Sequence, residues 1–408
     1  MMPQLSLLLA FNLLAAAPTA PAGMLRPLEG KPFEAQLLSV DDGWHMAFQK
    51  AAAQATEDAV ELPAAKIVSW GAMRETPLRT QLVLADGGLL VADVLKLDKE
   101  RLQVDSALLG ALGLPLECVQ GIVFQPPALP QARDLLARQL ADRKDAEGRT
   151  LDADRLILAN GDQLQGTIIA LDDRSVHLER GSQVARIELA RLAALAFNPL
   201  LLSGQPARGL HALVGLRDGS RLDVARLAID GSQAVLDVAA VPASGWKAPA
   251  EALVFVQPLG GEAMYLSDLP VAGYRHVPFL ETPWPYQLDR STSGAQLRAG
   301  GSIYPKGIGM HSASRLSWEL DRAYARFEAE VALDDEVAGG GSVTFRVFVD
   351  REQKLATPVV RGGQPPLPIS VDLRGAKQLS LVVDFADRGD QHDHADWLNA
   401  RLLPAGAK

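Results

Sequence analysis

The sequence has very little cysteine, few aromatic residues and no excess of positive charge. Cys118 is the only cysteine among 408 residues, which excludes a disulfide framework and a cysteine-rich zinc site. We expect it to be a small buried hydrophobic side chain. The 40 Lys and Arg residues are outnumbered by 49 Asp and Glu residues, which argues against nucleic-acid binding. With 48% hydrophobic and 22% charged residues, the chain has the composition of a globular protein.

Motifs for catalysis are also missing. The chain contains no G-x-S-x-G, H-E-x-x-H or phosphate-cradling G-x-x-x-x-G-K pattern. Asp334 and Asp335 are adjacent carboxylates, but neighbours on a strand point to opposite faces and cannot flank one glycosidic bond. We interpret this pair as turn or salt-bridge residues, and we predict that the protein is not an enzyme.

The N-terminus has the pattern of an export signal. Residues 5–17 form an apolar run of signal-peptide length, followed by small residues suited to cleavage. This predicts a signal peptide at residues 1–22 and a secreted, periplasmic or cell-envelope protein. An uncleaved anchor is the alternative, because no Lys or Arg precedes the run. No later stretch is long and apolar enough for a transmembrane helix, so we predict no membrane span in the mature protein.

A pattern of turns and strands recurs four times between Leu25 and Gly261. Each copy has an acidic or amide residue before a glycine in a tight turn, then two alternating strands and a closing hydrophobic strand. The turns are at residues 28–31, 85–88, 159–162 and 217–220. We predict small β modules at residues 25–73, 78–128, 150–200 and 209–261, with a helical connector at 130–148. We expect Phe124, Phe197 and Phe255 to fill equivalent buried positions.

The third module resembles the Sm-like and SH3-like small barrels in its strand order and its Asn-Gly hairpin. The places where Sm-like RNA-binding proteins carry a polar loop residue and a basic residue hold Asp172, Asp173 and Ala193, so we predict no nucleic-acid partner. We expect the modules to act as spacers, oligomerisation units or protein-binding surfaces, with envelope proteins among their partners.

The sequence beyond Gly261 has longer strands and more aromatic residues. Residues 262–408 hold 13 of the 22 Phe, Trp and Tyr residues, in little more than a third of the chain. Alternating segments predict strands at 315–320, 325–333, 342–349, 368–373 and 377–385. Because no long helical run interrupts them, we predict an antiparallel β-sandwich with Trp318, Phe327 and Phe345 in its core.

The same segment resembles the NPCBM family of carbohydrate-binding modules. The matching motifs are YLSDL at 265–269, LRAGGSIYPKGIGMHSASRLSWEL at 297–320, YARFEAEVALDD at 324–335, GSVTFRVFVD at 341–350 and GAKQLSLVVDFADRGDQHDHADWLNARL at 375–402. The resemblance implies a jelly-roll sandwich related to galactose-binding-like domains. The whole chain is then mainly β, with tandem small β-barrel modules followed by this sandwich. Two departures are Ala332, where the family commonly has glycine, and the lack of a tryptophan directly after Leu269.

Candidate sugar-binding residues lie around two predicted loops of this segment. A sugar site needs an aromatic face for C–H groups and converging polar side chains for hydroxyls. The residue types and the resemblance point to four candidates: Trp284, Tyr304, His311 and Arg315. Residues 304–312 are predicted to be a loop, because Gly307 and Gly309 allow the backbone to bend. The sequence leaves open whether His311 contacts a ligand or braces the loop, and whether Trp284 contacts a ligand or stands in a rigid exposed loop.

Acidic residues and histidines crowd the chain near residue 390. By the resemblance, sandwich domains of this type often carry a structural Ca²⁺ held by carboxylates and loop carbonyls, and we expect Asp268 to share one ion with Asp393 or Asp396. The alternative is a solvated acidic loop whose Asp side chains cap turns. The H-x-H-x-D spacing at 392–396 is also typical of a zinc hydrolase motif, but Trp397 stands where that motif continues with histidine.

These observations predict an exported, non-catalytic carbohydrate-binding protein. The sandwich would bind a polysaccharide or glycoconjugate, and the β repeats would serve as a spacer or interaction platform. The alternative is a cell-envelope scaffold or protein-interaction protein whose sandwich has lost sugar binding.

Overall fold

The computed structural model describes residues 21–51, 59–98, 100–145, 147–204, 207–278, 283–387 and 389–405. The predicted signal peptide lies outside this part of the chain, except for its last two residues. Within these ranges antiparallel strands dominate, so the predicted mainly β fold is confirmed. The described ranges contain no helix that is long and apolar enough to cross a membrane.

Residues 22–261, which we call the repeat region, contain four similar units of antiparallel strands. Unit 1 consists of β1 (Ala22–Pro27), β2 (Phe33–Val40), β3 (His45–Lys50), β4 (Ala59–Pro63) and β5 (Ile67–Gly71). Unit 2 consists of β6 (Gln81–Leu84), β7 (Leu89–Val91), β8 (Asp93–Asp98), β9 (Arg101–Ser106), β10 (Gly110–Pro115) and β11 (Val119–Val123). Unit 3 consists of β12 (Asp154–Leu158), β13 (Gln163–Leu171), β14 (Ser175–Arg180), β15 (Gln183–Glu188) and β16 (Leu192–Ala196). Unit 4 consists of β17 (His211–Leu216), β18 (Arg221–Asp230), β19 (Gln233–Val238), β20 (Trp246–Pro249) and β21 (Leu253–Leu259).

The same local geometry closes every unit. A 3₁₀ turn precedes the last strand, which returns to pair with the first: Ala64–Lys66, Leu116–Cys118, Leu189–Arg191 and Ala250–Ala252. In each unit, the amide of the first residue of this turn donates to the carbonyl of the residue directly before β3, β9, β14 or β19. Examples are the bonds from Ala64 to Trp44 at 2.7 Å and from Ala250 to Ser232 at 2.8 Å. The glycines of the four repeated tight turns all have φ between +88° and +98°, which explains why glycine recurs there.

The four units share one core, and all their strands except β8, β9 and β10 belong to one 18-stranded sheet; those three form a small sheet of their own. Strand β5 of unit 1 pairs with β21 of unit 4, and β11 of unit 2 pairs with β16 of unit 3. Trp70, Ile122, Leu195 and Val256 hold the same place in the four closing strands, and all are fully buried in one cluster with side chains from every unit. Cys118 is buried in this cluster, as predicted. The folding of any one module by itself stays a prediction.

One expectation about the repeats is wrong. Phe124 and Phe197 are each the sixth residue after the 3₁₀ turn, whereas Phe255 is the third. Phe255 lies inside β21 and packs against Met73 and Ile303. The three residues have in common only that a proline follows within three residues. Equivalent positions in the closing strands are defined by the distance from the 3₁₀ turn and not by these phenylalanines.

The predicted connector is helical over only part of its length. Helix α1 (Pro130–Leu140) begins with proline in its first turn, where a missing amide costs no hydrogen bond. Leu140 is buried and Leu136 is half-buried against strands of units 2 and 3. The helix ends at Leu140 because the chain then folds back, with the Leu151 amide donating to the Arg143 carbonyl at 2.9 Å.

The C-terminal region, residues 262–405, is a two-sheet antiparallel sandwich, which we call the sandwich. Its strands are β22 (Met264–Tyr265), β23 (Gly273–His276), β24 (Gln287–Leu288), β25 (Leu297–Ala299), β26 (Ser302–Tyr304), β27 (Gly307–His311), β28 (Ser314–Glu319), β29 (Tyr324–Leu333), β30 (Ser342–Val349), β31 (Glu352–Ala356), β32 (Val360–Arg361), β33 (Leu367–Asp372), β34 (Gln378–Phe385) and β35 (His394–Pro404). One sheet has the order β24-β27-β35-β29-β33, and the other has the order β23-β28-β34-β30-β31. Trp318, Phe327 and Phe345 are fully buried between the sheets, as predicted.

Two parts of the sandwich differ from the sequence interpretation. The predicted loop at 304–312 contains β27, because Gly309 permits close strand packing rather than a bend: a Cβ there would lie 2.4 Å from the Arg290 carbonyl oxygen. The last strand begins at His394, so Asp396 lies inside β35 and not in an acidic loop before it. The predicted turn role is confirmed for Asp334, which caps the 3₁₀ turn Asp335–Val337 by accepting from the Glu336 amide at 2.9 Å. Asp335 accepts from the Gly300 and Gly301 amides of the neighbouring hairpin.

The sandwich packs directly on the repeat region. The Arg298 guanidinium of β25 donates to Glu75 at 2.7 Å and to Asp134 of α1 at 2.6 Å, and Arg133 of α1 also pairs with Glu75. Arg298 and Asp134 are both nearly inaccessible to solvent. The apolar contact of Met73 with Ile303 lies beside this network.

Candidate functional site

Four ring side chains meet at one end of the sandwich, and we call them the ring cluster: His276, Trp284, His311 and His394. His276 ends β23, His311 ends β27 and His394 begins β35. Antiparallel pairing of β27 with β35 places His311 directly opposite His394. The cluster therefore joins residues from three strands and from the segment around Trp284.

The rings are in mutual contact. Trp284 and His311 are stacked, with ring centroids 4.7 Å apart and planes 6° from parallel. The His394 ring lies 5.4 Å from Trp284 and 5.8 Å from His311, and His276 meets His311 edge-on at 6.1 Å. His311 is buried while Trp284 is partly exposed. In the ring cluster, the partly exposed indole of Trp284 therefore covers the buried imidazole of His311.

Hydrogen bonds fix the position of Trp284 and His394. The Trp284 amide donates to Nδ1 of His276 at 3.2 Å, and the Tyr274 hydroxyl donates to the Trp284 carbonyl. The Nδ1 atom of His394 lies 2.5 Å from the Glu336 carboxylate, which also accepts from Ser293 at 2.7 Å. Although burial acts to raise it, these two hydrogen bonds hold the pKa of Glu336 below its usual value. The network orders the rings before any ligand arrives.

The central histidine is neutral at physiological pH. Burial, and then the nearby His394, lower the pKa of His311 to about 4. Burial also lowers the pKa of His276, and the charge of Asp390 opposes the shift in both rings. A neutral imidazole keeps one donor and one acceptor nitrogen, so both rings can bond to a hydroxyl group.

Two ring nitrogens are available for such a bond. Nδ1 of His311 and Nε2 of His276 are buried and make no well-aligned hydrogen bond with the described residues, although the Ser312 backbone lies close enough to both rings to act against the lowering of their pKa. Because buried polar atoms normally have partners, these two favour a ligand with donor and acceptor groups. Rings combined with unpaired polar atoms suit a polyol with an apolar face.

The structure brings together two of the four predicted sugar-site residues. Trp284 and His311 are stacked, but Tyr304 packs with Leu297 and Ala332 near the repeat region, where burial raises its pKa well above the usual value. Arg315 lies on the outer face of β28, with its guanidinium 4.8 Å from the Phe348 ring centroid. The four predicted residues therefore lie in three separate places. They do not share one loop, because Gly307–His311 form a strand.

The three carboxylates predicted to bind calcium have different surroundings. Asp268 pairs with the Lys306 ammonium at 2.6 Å, Asp393 accepts from the Ser342 amide at 2.9 Å, and Asp396 is fully buried near the Asp334 carboxylate. In the ranges that the structure describes, no group of three or more acidic, histidine or cysteine side chains could hold a metal ion. The structure does not assemble the predicted ligand set, and calcium binding stays a prediction.

The sequence interpretation missed His276 and Glu336, and it treated Asp390 and His394 only as part of an acidic, metal-like pattern. Strands β23, β27 and β35, which carry His276, His311 and His394, were not among the predicted strands. Because these histidines are far apart in the chain, only the sheet order shows that they meet.

The fold and the ring cluster define the C-terminal region as a β-sandwich module with an aromatic, histidine-rich site at one end. Residues 262–403 match the family described as the NPCBM/NEW2 domain, so the predicted NPCBM resemblance is confirmed for this region.

Two curated relatives each match about a third of the chain or less. A protein of Renibacterium salmoninarum that carries the name of an endo-alpha-N-acetylgalactosaminidase is 34% identical over 110 residues, which are 27% of this chain and 7% of that protein. Alpha-1,3-galactosidase B of Akkermansia muciniphila is 35% identical over 125 residues, which are 30% of this chain and 16% of that enzyme. The chain thus spans a small fraction of both relatives.

A solved structure is also similar in sequence. CBM51 of Clostridium perfringens GH95, in complex with methyl-galactose, is 28% identical, with a TM-score of 0.32 over 35% of this chain and 99% of that one.

Proposed function

We propose that the protein is an exported, non-catalytic carbohydrate-binding protein whose glycan site is the ring cluster of the sandwich. The repeat region would serve as the platform that carries the sandwich and offers a surface to envelope partners. The stacked pair of Trp284 and His311, next to two buried ring nitrogens that make no well-aligned hydrogen bond with the described residues, is the observation that carries this proposal.

The chemistry of the cluster fits a pyranose. The partly exposed indole of Trp284 offers an apolar face to the C–H side of a sugar ring. His276 and His311 can exchange hydrogen bonds with hydroxyls through buried ring nitrogens, and Asp390 adds a carboxylate acceptor nearby. Because the His311 ring is neutral, binding of an uncharged sugar would not bury a charge beside it.

The comparisons support both the ligand class and the lack of catalysis. The NPCBM/NEW2 match covers the whole sandwich, and the two curated relatives are named for enzymes that act on galactose-type sugars. The shared segment is only 7% and 16% of those enzymes, which fits a binding module added to separate catalytic machinery. We therefore expect galactose or N-acetylgalactosamine among the ligands.

A glycan array with the full chain tests the proposal. We expect binding in the high micromolar to millimolar range, on the order of −4 to −6 kcal/mol, with galactose-type glycans among the hits. Trp284→Ala and His311→Ala should each reduce the signal about tenfold or more, whereas Arg315→Ala should leave it nearly unchanged. Folding of each variant is checked by thermal melting. Absence of binding across plant, algal and bacterial glycans would favour the envelope scaffold instead.

A further inference from the structure

A cavity of about 330 Å³ lies where the repeat region meets the sandwich, and its wall is rich in arginine. The segment between β5 and β6, strand β6 of unit 2, unit 4, helix α1 and the β25–β26 hairpin all contribute to it. Five arginines and one carboxylate line it: Arg74, Arg133, Arg217, Arg221, Arg298 and Glu75. This is a strongly positive wall in a chain with a formal charge of −9.

The acidic groups near the cavity are already engaged. Glu75 pairs with Arg133 and Arg298, and Asp134 also pairs with Arg298. Arg217 pairs with Glu251 at 3.0 Å. Fixed ion pairs therefore account for three of the five arginines, and they leave Arg221 without a carboxylate of its own among the described residues.

Arg221 is the least satisfied of these side chains. Its Nη1 atom is buried and has no hydrogen-bond partner in the described part of the chain. Burial lowers the pKa of Arg221 to about 10, and the charges of Asp134 and Glu75 only partly oppose this. A guanidinium that loses water without gaining a carboxylate is unfavourable, whereas an anion inside the cavity would restore its hydrogen bonds.

We propose that this cavity binds a small ligand that carries an oxyanion (a carboxylate, sulfate or phosphate group), with Arg221 as its main donor. The planar guanidinium offers two parallel N–H groups to such an oxyanion. Met73 and Ile303 add an apolar side to the same cavity. Its volume is at the small end of ligand pockets, which suits one acidic sugar unit or a small organic acid. The proposal does not depend on sugar binding at the ring cluster.

Isothermal titration of the full chain tests the ligand class. The probes are inorganic phosphate, sulfate and glucuronate at constant ionic strength, with chloride and glucose as controls. We expect saturable binding of at least one oxyanion, a matching rise in melting temperature, and neither effect from chloride or glucose. The order of the three affinities distinguishes a carboxylate ligand from a sulfate or phosphate ligand.

Matched variants test the role of Arg221. Arg221→Gln should weaken oxyanion binding about tenfold or more. Arg226→Gln should change it less than about twofold, because Arg226 lies on the same strand but pairs with Asp42 and Asp237. Without ligand, Arg221→Gln should melt no lower than the wild type, since it removes a partly buried charge that has no carboxylate partner among the described residues. If that variant does not fold, Arg74→Gln at the cavity rim replaces it, with an expected weakening of about threefold.

Two results would overturn the proposal. One is that none of the three oxyanions binds beyond the effect of chloride. The other is equal weakening by Arg221→Gln and Arg226→Gln, which would reflect net charge alone. Trp284→Ala should leave oxyanion binding unchanged, so a failure of the sugar proposal and a failure of this one are distinguishable.

Discussion

The repeat region and the sandwich are both built from antiparallel strands, but they use aromatic residues differently. Only 9 of the 22 aromatic residues precede residue 262, and the shared core of the four units is mostly Leu, Val, Ile and Ala. The core of the sandwich contains Trp318, Phe345 and Trp397, and further ring side chains, Trp284 and His311, lie at one end of the sandwich. The aromatic ring cluster thus belongs to the sandwich, while the core of the repeat region is built mostly from aliphatic side chains.

Glycine also has a different role in each region. In the repeats it occupies tight turns with positive φ, as at Gly30 and Gly161. In the sandwich Gly309 lies within a strand, where any side chain would collide with the Arg290 carbonyl. The same residue type therefore marks a turn in one region and close backbone packing in the other.

The largest effect is expected where the two regions meet. Arg298→Gln leaves the buried Asp134 carboxylate without its ion pair, which should cost about 3–5 kcal/mol of unfolding free energy. Calorimetry should then show the sandwich and the repeat region melting in separate transitions. Arg374→Gln, at an exposed pair with Asp372, should cost less than about 1 kcal/mol. Equal effects of the two variants would contradict the interface described here.

A slightly smaller effect should show that the repeat region unfolds as one body. Leu195→Ala empties a fully buried site in unit 3 and should cost about 2–5 kcal/mol. Because all four units share that core, denaturant unfolding should keep a single transition for the repeat region. Leu201→Ala, at a leucine that is 66% exposed, is the control. An early, separate transition of unit 3 alone would indicate independent modules.

The smallest effect is expected in the pH dependence of the sandwich. Burial, and then the Asp334 carboxylate, raise the pKa of Asp396 well above its usual value. A carboxyl with a higher pKa in the folded chain stabilises the fold fully below the unfolded pKa of about 3.9. This stabilisation is lost as the pH rises toward the folded pKa.

The melting temperature of the wild type should therefore fall more steeply from about pH 5 to about pH 8 than that of Asp396→Asn, which cannot titrate. Asp321→Asn, at an exposed position of the same region, serves as the control. Parallel melting curves for the wild type and Asp396→Asn would mean that Asp396 is ionised throughout this range.

The sequence predicted those features that depend on local pattern. Alternation in 342–349 identified β30 and the inward face of Phe345, and the recurrent glycine turns identified the four units. The ring cluster could not be predicted, because it depends on the pairing of His311 with His394 across a sheet. The joining of units through β5 and β21 also depends on tertiary packing, since each closing strand looks the same in sequence whatever it pairs with.

Side-chain NMR of the seven histidines tests most directly whether glycan binding belongs to the sandwich alone. The full chain, labelled with ¹³C at the histidine Cε1 position, is titrated with galactose and N-acetylgalactosamine. We predict that the signals of three residues move and saturate together: His276, His311 and His394. The signals of three residues of the repeat region should stay fixed: His45, His177 and His211. Shifts confined to the repeat region, or sugar binding with no change at His311, would contradict the account.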